Sequence, residues 1–163
     1  AIMREQILEM LYNNSKLSAE EMAVMLGYSA EEIREEISAM EKEGIICGYT
    51  TMINWDKVEN EKVTAFIEVK VAPQRGLGFD KIAERIYRFD EVESVSLMSG
   101  AYDLSVTIEG RTMKDVAIFV HEKLAPLESV LSTATHFVLR KYKEHGVVLV
   151  DEKKTSGRMK ITP

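Results

Sequence analysis

Residues 17–44 read LSAEEMAVMLGYSAEEIREEISAMEKEG, and they predict two short helices joined by a tight turn. Each helix opens with a Ser-x-x-Glu capping box, the first at Ser18 and the second at Ser29, in which the two side chains satisfy the first free amides of the helix. Gly27 ends the first helix and Gly44 the second, as glycine commonly does. Because only three residues connect the helices, they are expected to cross steeply, as in a helix-turn-helix.

A further helix precedes this stretch and a β-rich segment follows it. Apolar residues recur at helical spacing over residues 3–13, and Gly-punctuated β-branched residues over 45–53 predict a small β wing. We therefore expect a winged helix-turn-helix domain over residues 1–53, followed by a polar linker over 54–61. The residues predicted to line its buried helix faces are Met3, Ile7, Met10, Leu11, Met22, Met25, Leu26, Ile33, Ile37 and Met40.

The remainder of the chain alternates between strand and helix patterns. Residues 63–71 alternate apolar and polar side chains with a period of two, which predicts a strand with one face in a core. The order strand, helix, strand, strand, helix, strand over residues 62–150 predicts a ferredoxin-like βαββαβ domain, so the fold class is α+β. The expected elements are a strand over 63–71, a helix over 79–87, strands over 92–98 and 104–108, a helix over 113–124, and a strand from 130 to about 142.

In this arrangement both helices cover one face of the sheet and leave the other face uncovered. The last strand alternates between two sets of side chains, and neither set is wholly polar. Such a sheet usually packs its uncovered face on a partner, which predicts a homodimer. The two sets are Ser132, Ala134, His136 and Val138 on one side and Leu131, Thr133, Thr135, Phe137 and Leu139 on the other.

Composition narrows the classes of protein and chemistry. The 163 residues are 45% apolar, which suffices for globular cores, and the absence of a long uncharged apolar run or a targeting pattern predicts a cytoplasmic protein. A single cysteine, Cys47, excludes an internal disulfide and a thiolate zinc site, and is expected to be a small core residue. His121, His136 and His145 are scattered without ligand spacing, so we predict no metal, no cofactor and no catalytic site.

Several segments, taken in order and spacing, resemble the Lrp/AsnC family of transcriptional regulators (leucine-responsive and feast/famine proteins) over nearly the whole chain. The segments are Ile7-Leu8-x-x-Leu11, Leu17-Ser18-x-x-Glu21-Met22-Ala23, Leu26-Gly27-Tyr28-Ser29, Ile37-x-x-Met40-Glu41-x-x-Gly44-Ile45-Ile46, Gly48-Tyr49 and Ser99-Gly100-Ala101-Tyr102-Asp103-Leu104.

The resemblance implies a DNA-binding regulator that assembles into dimers and then tetramers, octamers or larger rings. It also implies a small effector, an amino acid, bound between subunits of the C-terminal domain. An Asp side chain can pair with an α-ammonium group, while backbone amides and hydroxyls can bind an α-carboxylate. The positions that the resemblance assigns to the effector are Met98, Gly100, Ala101, Tyr102, Asp103, Thr133 and Thr135. His136 is a further candidate beside them, although a hydrogen-bonded interface histidine is the commoner case.

The charge distribution is unusual for a DNA-binding protein. The chain has a net charge of -6, and residues 1–55 hold four basic and ten acidic side chains. Carboxylates repel phosphate, and the base group that suits them is the cytosine amino group, so the glutamates of the helix over residues 29–44 are not expected to supply the main DNA contacts. Helix N-termini and multivalent binding can compensate. The residues predicted to contact DNA are Lys16, Ser18, Ser29, Arg34 and Ser38.

Two other functions are compatible with the sequence. One is a sirohaem-decarboxylase-like enzyme of the same architecture, which would need histidines around a tetrapyrrole, whereas residues 96–102 contain none. The other is an oligomeric scaffold whose acidic winged helix binds protein.

Two motifs have ordinary interpretations. Gly76-Leu77-Gly78 is predicted to be a turn. The basic tail, residues 151–163, is predicted to be a terminal arm, for which phosphate contact is an alternative.

Overall fold

The computed structural model describes residues 2–59, 62–72 and 78–151, which form two compact units divided between Ile53 and Asn54. The first unit contains three helices: α1 (Ile2–Asn13), α2 (Ala19–Leu26) and α3 (Ala30–Lys42). The second contains β1 (Val63–Val71), α4 (Asp80–Tyr87), β2 (Val92–Leu97), β3 (Leu104–Gly110), α5 (Met113–Phe119), β4 (Val130–Phe137), β5 (Lys143–Glu144) and β6 (Val147–Val148). The α+β fold class is confirmed.

The two predicted N-caps begin their helices, and at Ser29 both halves of the capping box form. The Ser18 hydroxyl accepts a hydrogen bond from the Glu21 amide at 3.0 Å, and the Ser29 hydroxyl accepts one from the Glu32 amide at 3.1 Å. The Glu32 carboxylate in turn accepts from the Ser29 amide at 3.3 Å. Gly27 takes a left-handed conformation with φ of 79°, which ends α2 and turns the chain into α3. The helix-turn-helix therefore follows from local signals.

A small apolar core holds the three helices of the first unit together. Ile7, Met22, Ile33 and Met40 are fully buried in it. Met25 was predicted to share this core, and that prediction is wrong because its side chain is 58% exposed. In a helix of eight residues, Met22 already fills the face that meets the other helices, and Met25 lies to one side of that face.

The predicted β wing is not present. The structure forms no strand between Gly44 and Asn54, although this whole stretch is described. An isolated two-stranded hairpin is only marginally stable in water, and in this stretch Ile46 packs against the helical core while the other large apolar side chains are exposed. The expectation that Cys47 is buried is also wrong, because it lies exposed in this stretch, with its Sγ 3.2 Å from the Gly44 carbonyl.

The second unit is built on a four-stranded antiparallel sheet in the order β2-β3-β1-β4. This is the order expected of the ferredoxin-like arrangement, because each helix carries the chain across the sheet before the next strand pairs. Helix α4 packs against β2, and α5 packs against β3 and β1. The core between sheet and helices contains Ala65, Ile67, Val69, Val71, Ile82, Ile86, Leu104, Val106, Ile108, Val116, Phe119 and Leu124.

The other face of the sheet has no buried side chain among its described residues. We call it the open face. Its residues alternate with the core positions along each strand and are mostly small and polar around one aromatic ring, that of Phe66. They are Thr64, Phe66, Glu68, Lys70, Ser94, Ser96, Ser105, Thr107, Glu109, Ser132, Ala134 and His136.

Strand β4 and helix α5 differ from the sequence prediction by several residues. Strand β4 ends at Phe137 instead of about residue 142, because its pairing with β1 ends at the Ala65–Phe137 pair. The chain then forms a hairpin, β5–β6, whose turn residues His145 and Gly146 both have positive φ. Helix α5 ends at Phe119 and continues as a wider π-type turn over residues 120–124, where the Ala125 amide donates to the Val120 carbonyl at 2.8 Å.

The described part of the predicted linker, residues 54–59, belongs to the second unit. The Asn54 side chain donates to the Leu149 carbonyl at 2.8 Å, and the Lys62 ammonium lies 4.1 Å from the centre of the Trp55 ring. Gly76 and Leu77 of the glycine motif, and the tail beyond Asp151 with Lys153, Lys154, Arg158 and Lys160, lie outside the described residues. None of the described helices is both long and apolar enough to traverse a bilayer.

Candidate functional site

The loop between β2 and β3, residues 98–103, is tied both to itself and to the end of β1. The Met98 amide donates to the Asp103 carbonyl at 2.8 Å, and the Asp103 amide donates to the Val69 carbonyl at 3.1 Å. The Asp103 carboxylate accepts a hydrogen bond through Oδ2 from the Val71 amide at 2.9 Å. A carboxylate has about four acceptor positions, so the second oxygen, Oδ1, keeps its capacity to accept from a ligand.

This loop needs a glycine and brings an aromatic ring onto the open face. Gly100 has φ of 146°, a conformation that side-chain-bearing residues rarely adopt. Two residues later, the edge of the Tyr102 ring meets the Phe66 ring at a centroid distance of 6.3 Å. The His136 ring lies on the same Phe66 ring, also at 6.3 Å, and its Nε2 is 3.5 Å from Glu68 Oε1. The loop therefore borders the open face.

The predicted effector residues of β4 do not share one face. Thr133 and Thr135 pair with Val69 and Ile67, which are core positions, so their side chains point to the helix-covered side. His136 pairs with Phe66 and points to the open face. The structure thus gathers Tyr102, Asp103 and His136 around the rim of the open face. Thr133 pairs with Val69 near the same end of β1, on the edge of β1 that faces β4.

Two residues of this site, Phe66 and Glu68, were not singled out from the sequence. Both belong to the alternate positions of β1 that face away from the core. A large aromatic residue among polar alternate positions was the available signal, because such a side chain in a strand normally packs against something. Tyr102 and His136 supply that packing within the subunit.

A cleft of about 560 Å³ lies at the opposite end of β3, where charged side chains of both signs gather. The Lys62 ammonium lies 3.4 Å from the Glu109 carboxylate there. Burial, together with the negative charge of Glu109, raises the pKa of the Glu93 carboxyl above its usual range.

Nowhere in the described residues do three His, Cys, Asp or Glu side chains come together in a way that could hold a metal ion.

The residues predicted to contact DNA lie in the first unit, and several have partners within it. The hydroxyls of Ser18 and Ser29 cap α2 and α3, and the Arg34 guanidinium on α3 forms an exposed ion pair with Glu20 on α2. Hydrogen bonding to Arg34 lowers the pKa of the Glu20 carboxyl. Lys16 and Ser38 are exposed and take no side-chain partner among the described contacts.

A second group of ion pairs neutralises another basic side chain of this unit. Arg4 on α1 pairs with both Glu36 and Glu43, and its guanidinium lies 3.3 Å from one Glu43 oxygen. Of the four basic side chains in residues 2–53, Lys16 and Lys42 are left without a described ion pair. The unit as folded therefore offers little positive potential to a phosphate backbone.

Comparison with known proteins establishes the class of the chain. Residues 64–148 match the family described as the Lrp/AsnC ligand binding domain. The uncharacterized HTH-type transcriptional regulator YugG of Bacillus subtilis (strain 168) is 56% identical over 144 residues, covering 88% of this chain and 87% of that relative. The chain belongs to the Lrp/AsnC family, whose members matched here are helix-turn-helix transcriptional regulators and not enzymes.

Solved structures share the fold. AsnC of E. coli superposes with a TM-score of 0.67 at 22% identity, covering 88% of this chain and 95% of that chain. The transcriptional regulator NMB0573 of Neisseria meningitidis, described as its complex with L-Met, has a TM-score of 0.70 at 22% identity and covers 88% of this chain and 92% of that chain. The family prediction from sequence is confirmed, and the sirohaem-decarboxylase alternative has no support among these relatives.

Proposed function

We propose that this protein binds DNA through residues 1–53 and dimerises and senses an amino acid through residues 62–150. Ligand binding between subunits would change the spacing or assembly of the helix-turn-helix units and so change transcription. As a regulator of transcription it would work in the cytoplasm, where bacterial and archaeal DNA is found. One observation carries the proposal: the loop 98–103 borders a sheet face that has no covering layer, so a second subunit is needed to enclose a ligand there.

Dimerisation is supported by the chemistry of the open face. Its serine, threonine and alanine side chains are small enough for two sheets to approach at the usual spacing of about 10 Å. The Phe66 ring, half-buried against Tyr102 and His136, stands above them. Replacing Phe66 with a charged residue would place an unpaired charge in such an interface, and burying an unpaired charge is strongly unfavourable.

Amino-acid binding is supported by the hydrogen-bonding groups of the loop that are still available to a ligand. Asp103 Oδ1 can accept from an α-ammonium group, and the exposed backbone of Gly100 and Ala101 can approach an α-carboxylate closely. The N. meningitidis regulator with the same fold is described as a complex with L-Met. We infer an amino acid as the class of effector for this chain.

DNA binding is supported by two well-capped helices at helix-turn-helix spacing, and its electrostatic part should be weak. Lys16 and Lys42 remain to neutralise phosphates, and Arg34 can join them because its ion pair with Glu20 is exposed and contributes little. With two or three phosphate contacts per unit, the slope of log K against log salt would be about -2 to -3 per unit. Several units on one assembly would then be needed for tight binding.

The test combines calorimetry, DNA retardation and light scattering on the full chain. Titration with the proteinogenic amino acids should give heat for one or a few of them, and the same amino acids should alter retardation of the DNA upstream of the protein's own gene. Phe66→Glu should shift the wild-type oligomer towards monomer, while Lys70→Glu, a charge change at the exposed rim of the same face, should do so less. No response to any amino acid would refute effector sensing, and a wild-type monomer at all dilutions would refute the shared site.

A further inference from the structure

Helix α3 presents one stripe of side chains directly away from the core of its unit. Its buried face is formed by Ile33 and Met40, and an α-helix advances about 100° per residue. Glu31, Glu35 and Ser38 follow at helical spacing on the opposite side, and all three are exposed. Their side chains therefore point away from the core of the unit along the first three turns of α3.

Arg34 does not belong to this stripe. It lies a quarter of a turn away, on the flank of α3 that faces α2, where it pairs with Glu20. In a helix-turn-helix bound to DNA the first helix crosses the phosphate backbone while the N-terminal residues of the second contact base edges. The position of Arg34 therefore suits a phosphate contact, and the base-contacting position at the same level of the helix belongs to Glu35.

A glutamate in that position restricts which base it can face. Phosphates at the rim of the groove repel the carboxylate, whereas on the groove floor the cytosine amino group donates without a neighbouring acceptor from the same base. Neither Glu31 nor Glu35 has a described ion pair or hydrogen bond, so each carboxylate is available to accept. The adjacent Arg34 would offset part of the phosphate repulsion.

We propose that Glu35 is a specificity-determining residue that reads a cytosine in the major groove of the operator. This inference rests on the proposed DNA-binding function and deepens it, because it names the base. It also accounts for an acidic recognition helix: the carboxylate lowers affinity for DNA in general and selects for sites that present an amino group. The preference expected for one such hydrogen bond is about tenfold, equivalent to about 1.4 kcal/mol.

The experiment is selection of bound duplexes from a pool with a randomised half-site, carried out with full-length wild type and two variants. Wild type should select cytosine at one fixed position. Glu35→Gln should change that position to adenine, because a glutamine amide can both donate to and accept from adenine. The matched control is Glu32→Gln, which removes the same charge from the same helix and retains a side chain able to complete the capping box with Ser29; it should leave the selected base unchanged.

The outcomes separate this inference from the proposed function. Both variants should bind non-specific DNA more tightly than wild type at low salt, since each loses one negative charge. If Glu35→Gln selects the same base as wild type, or if wild type selects no cytosine at any position, the role of Glu35 is refuted while DNA binding stands. If wild type selects no sequence and does not retard its own upstream DNA, the proposed function fails as well. Circular dichroism of the variants checks that α3 is intact.

Discussion

Asp103 is assigned two roles, one in stability and one in effector binding, and one pair of substitutions separates them. Its Oδ2 accepts a hydrogen bond from the Val71 amide, and its Oδ1 is assigned to the effector. Asp103→Ala removes both. Asp103→Asn keeps a neutral acceptor of the same shape for the Val71 amide and loses the negative charge that would pair with an ammonium group.

The size of the stability effect follows from the surroundings of the Val71 amide. Val71 is 4% exposed, so without Asp103 its N–H would be poorly hydrated. Losing a hydrogen bond to a charged group, with the donor left unsatisfied, costs about 2 kcal/mol. With an m-value of about 1.5 kcal/mol/M, the urea midpoint of Asp103→Ala would fall by roughly 1.3 M. Asp103→Asn should lose about 0.7 kcal/mol, since a neutral bond replaces the charged one.

The assay is urea unfolding followed by circular dichroism, with all three proteins at one concentration because an oligomer's stability depends on concentration. Calorimetric titration of the same proteins with the responsive amino acid gives the second readout. We expect the two variants to differ in stability and to lose effector affinity alike, by at least tenfold. If Asp103→Ala unfolds within about 0.2 M of wild type, the hydrogen bond to Val71 contributes nothing and the reasoning is wrong.

Two further predictions concern single sites. Ser29→Ala should lower the stability of the helix-turn-helix by about 1 kcal/mol in thermal unfolding, because the Glu32 amide loses its hydrogen-bond acceptor. Ser29→Thr keeps a hydroxyl at this position and should be near neutral. Equal effects of the two substitutions would contradict the capping argument. Glu93→Gln should raise stability at neutral pH by a few tenths of a kcal/mol, since a carboxyl whose pKa is raised by folding opposes folding when ionised. That gain should shrink as the pH falls through the raised pKa, and a variant less stable than wild type at pH 7 would overturn it.

Much of the architecture could be predicted because its signals are local. The N-caps Ser18 and Ser29 and the left-handed Gly27 act within one helical turn, so α2 and α3 begin and end at the expected residues. The period-two alternation of residues 63–71 similarly predicted β1 to the residue. The order of strands and helices then left a single common arrangement for the second unit. The family could be recognised from the sequence because the same short segments occur in the family's order and spacing.

The site depended on contacts between residues far apart in the sequence. The cross-strand register of β1 and β4 decided that His136 faces Phe66 while Thr133 points to the helices, and one residue of shift would have reversed both. The end of β4, likewise, was set by where its partner strand begins.

By itself, then, the sequence determined the helices, the strands, their order and the family, because these depend on side chains within a few residues of one another. Tertiary structure alone decided that Asp103 supports the end of β1, that Arg34 is paired with Glu20, and that Met25 and Cys47 are exposed. Each of these depends on which distant backbone or side chain comes within hydrogen-bonding or van der Waals distance, and no local pattern carries that information.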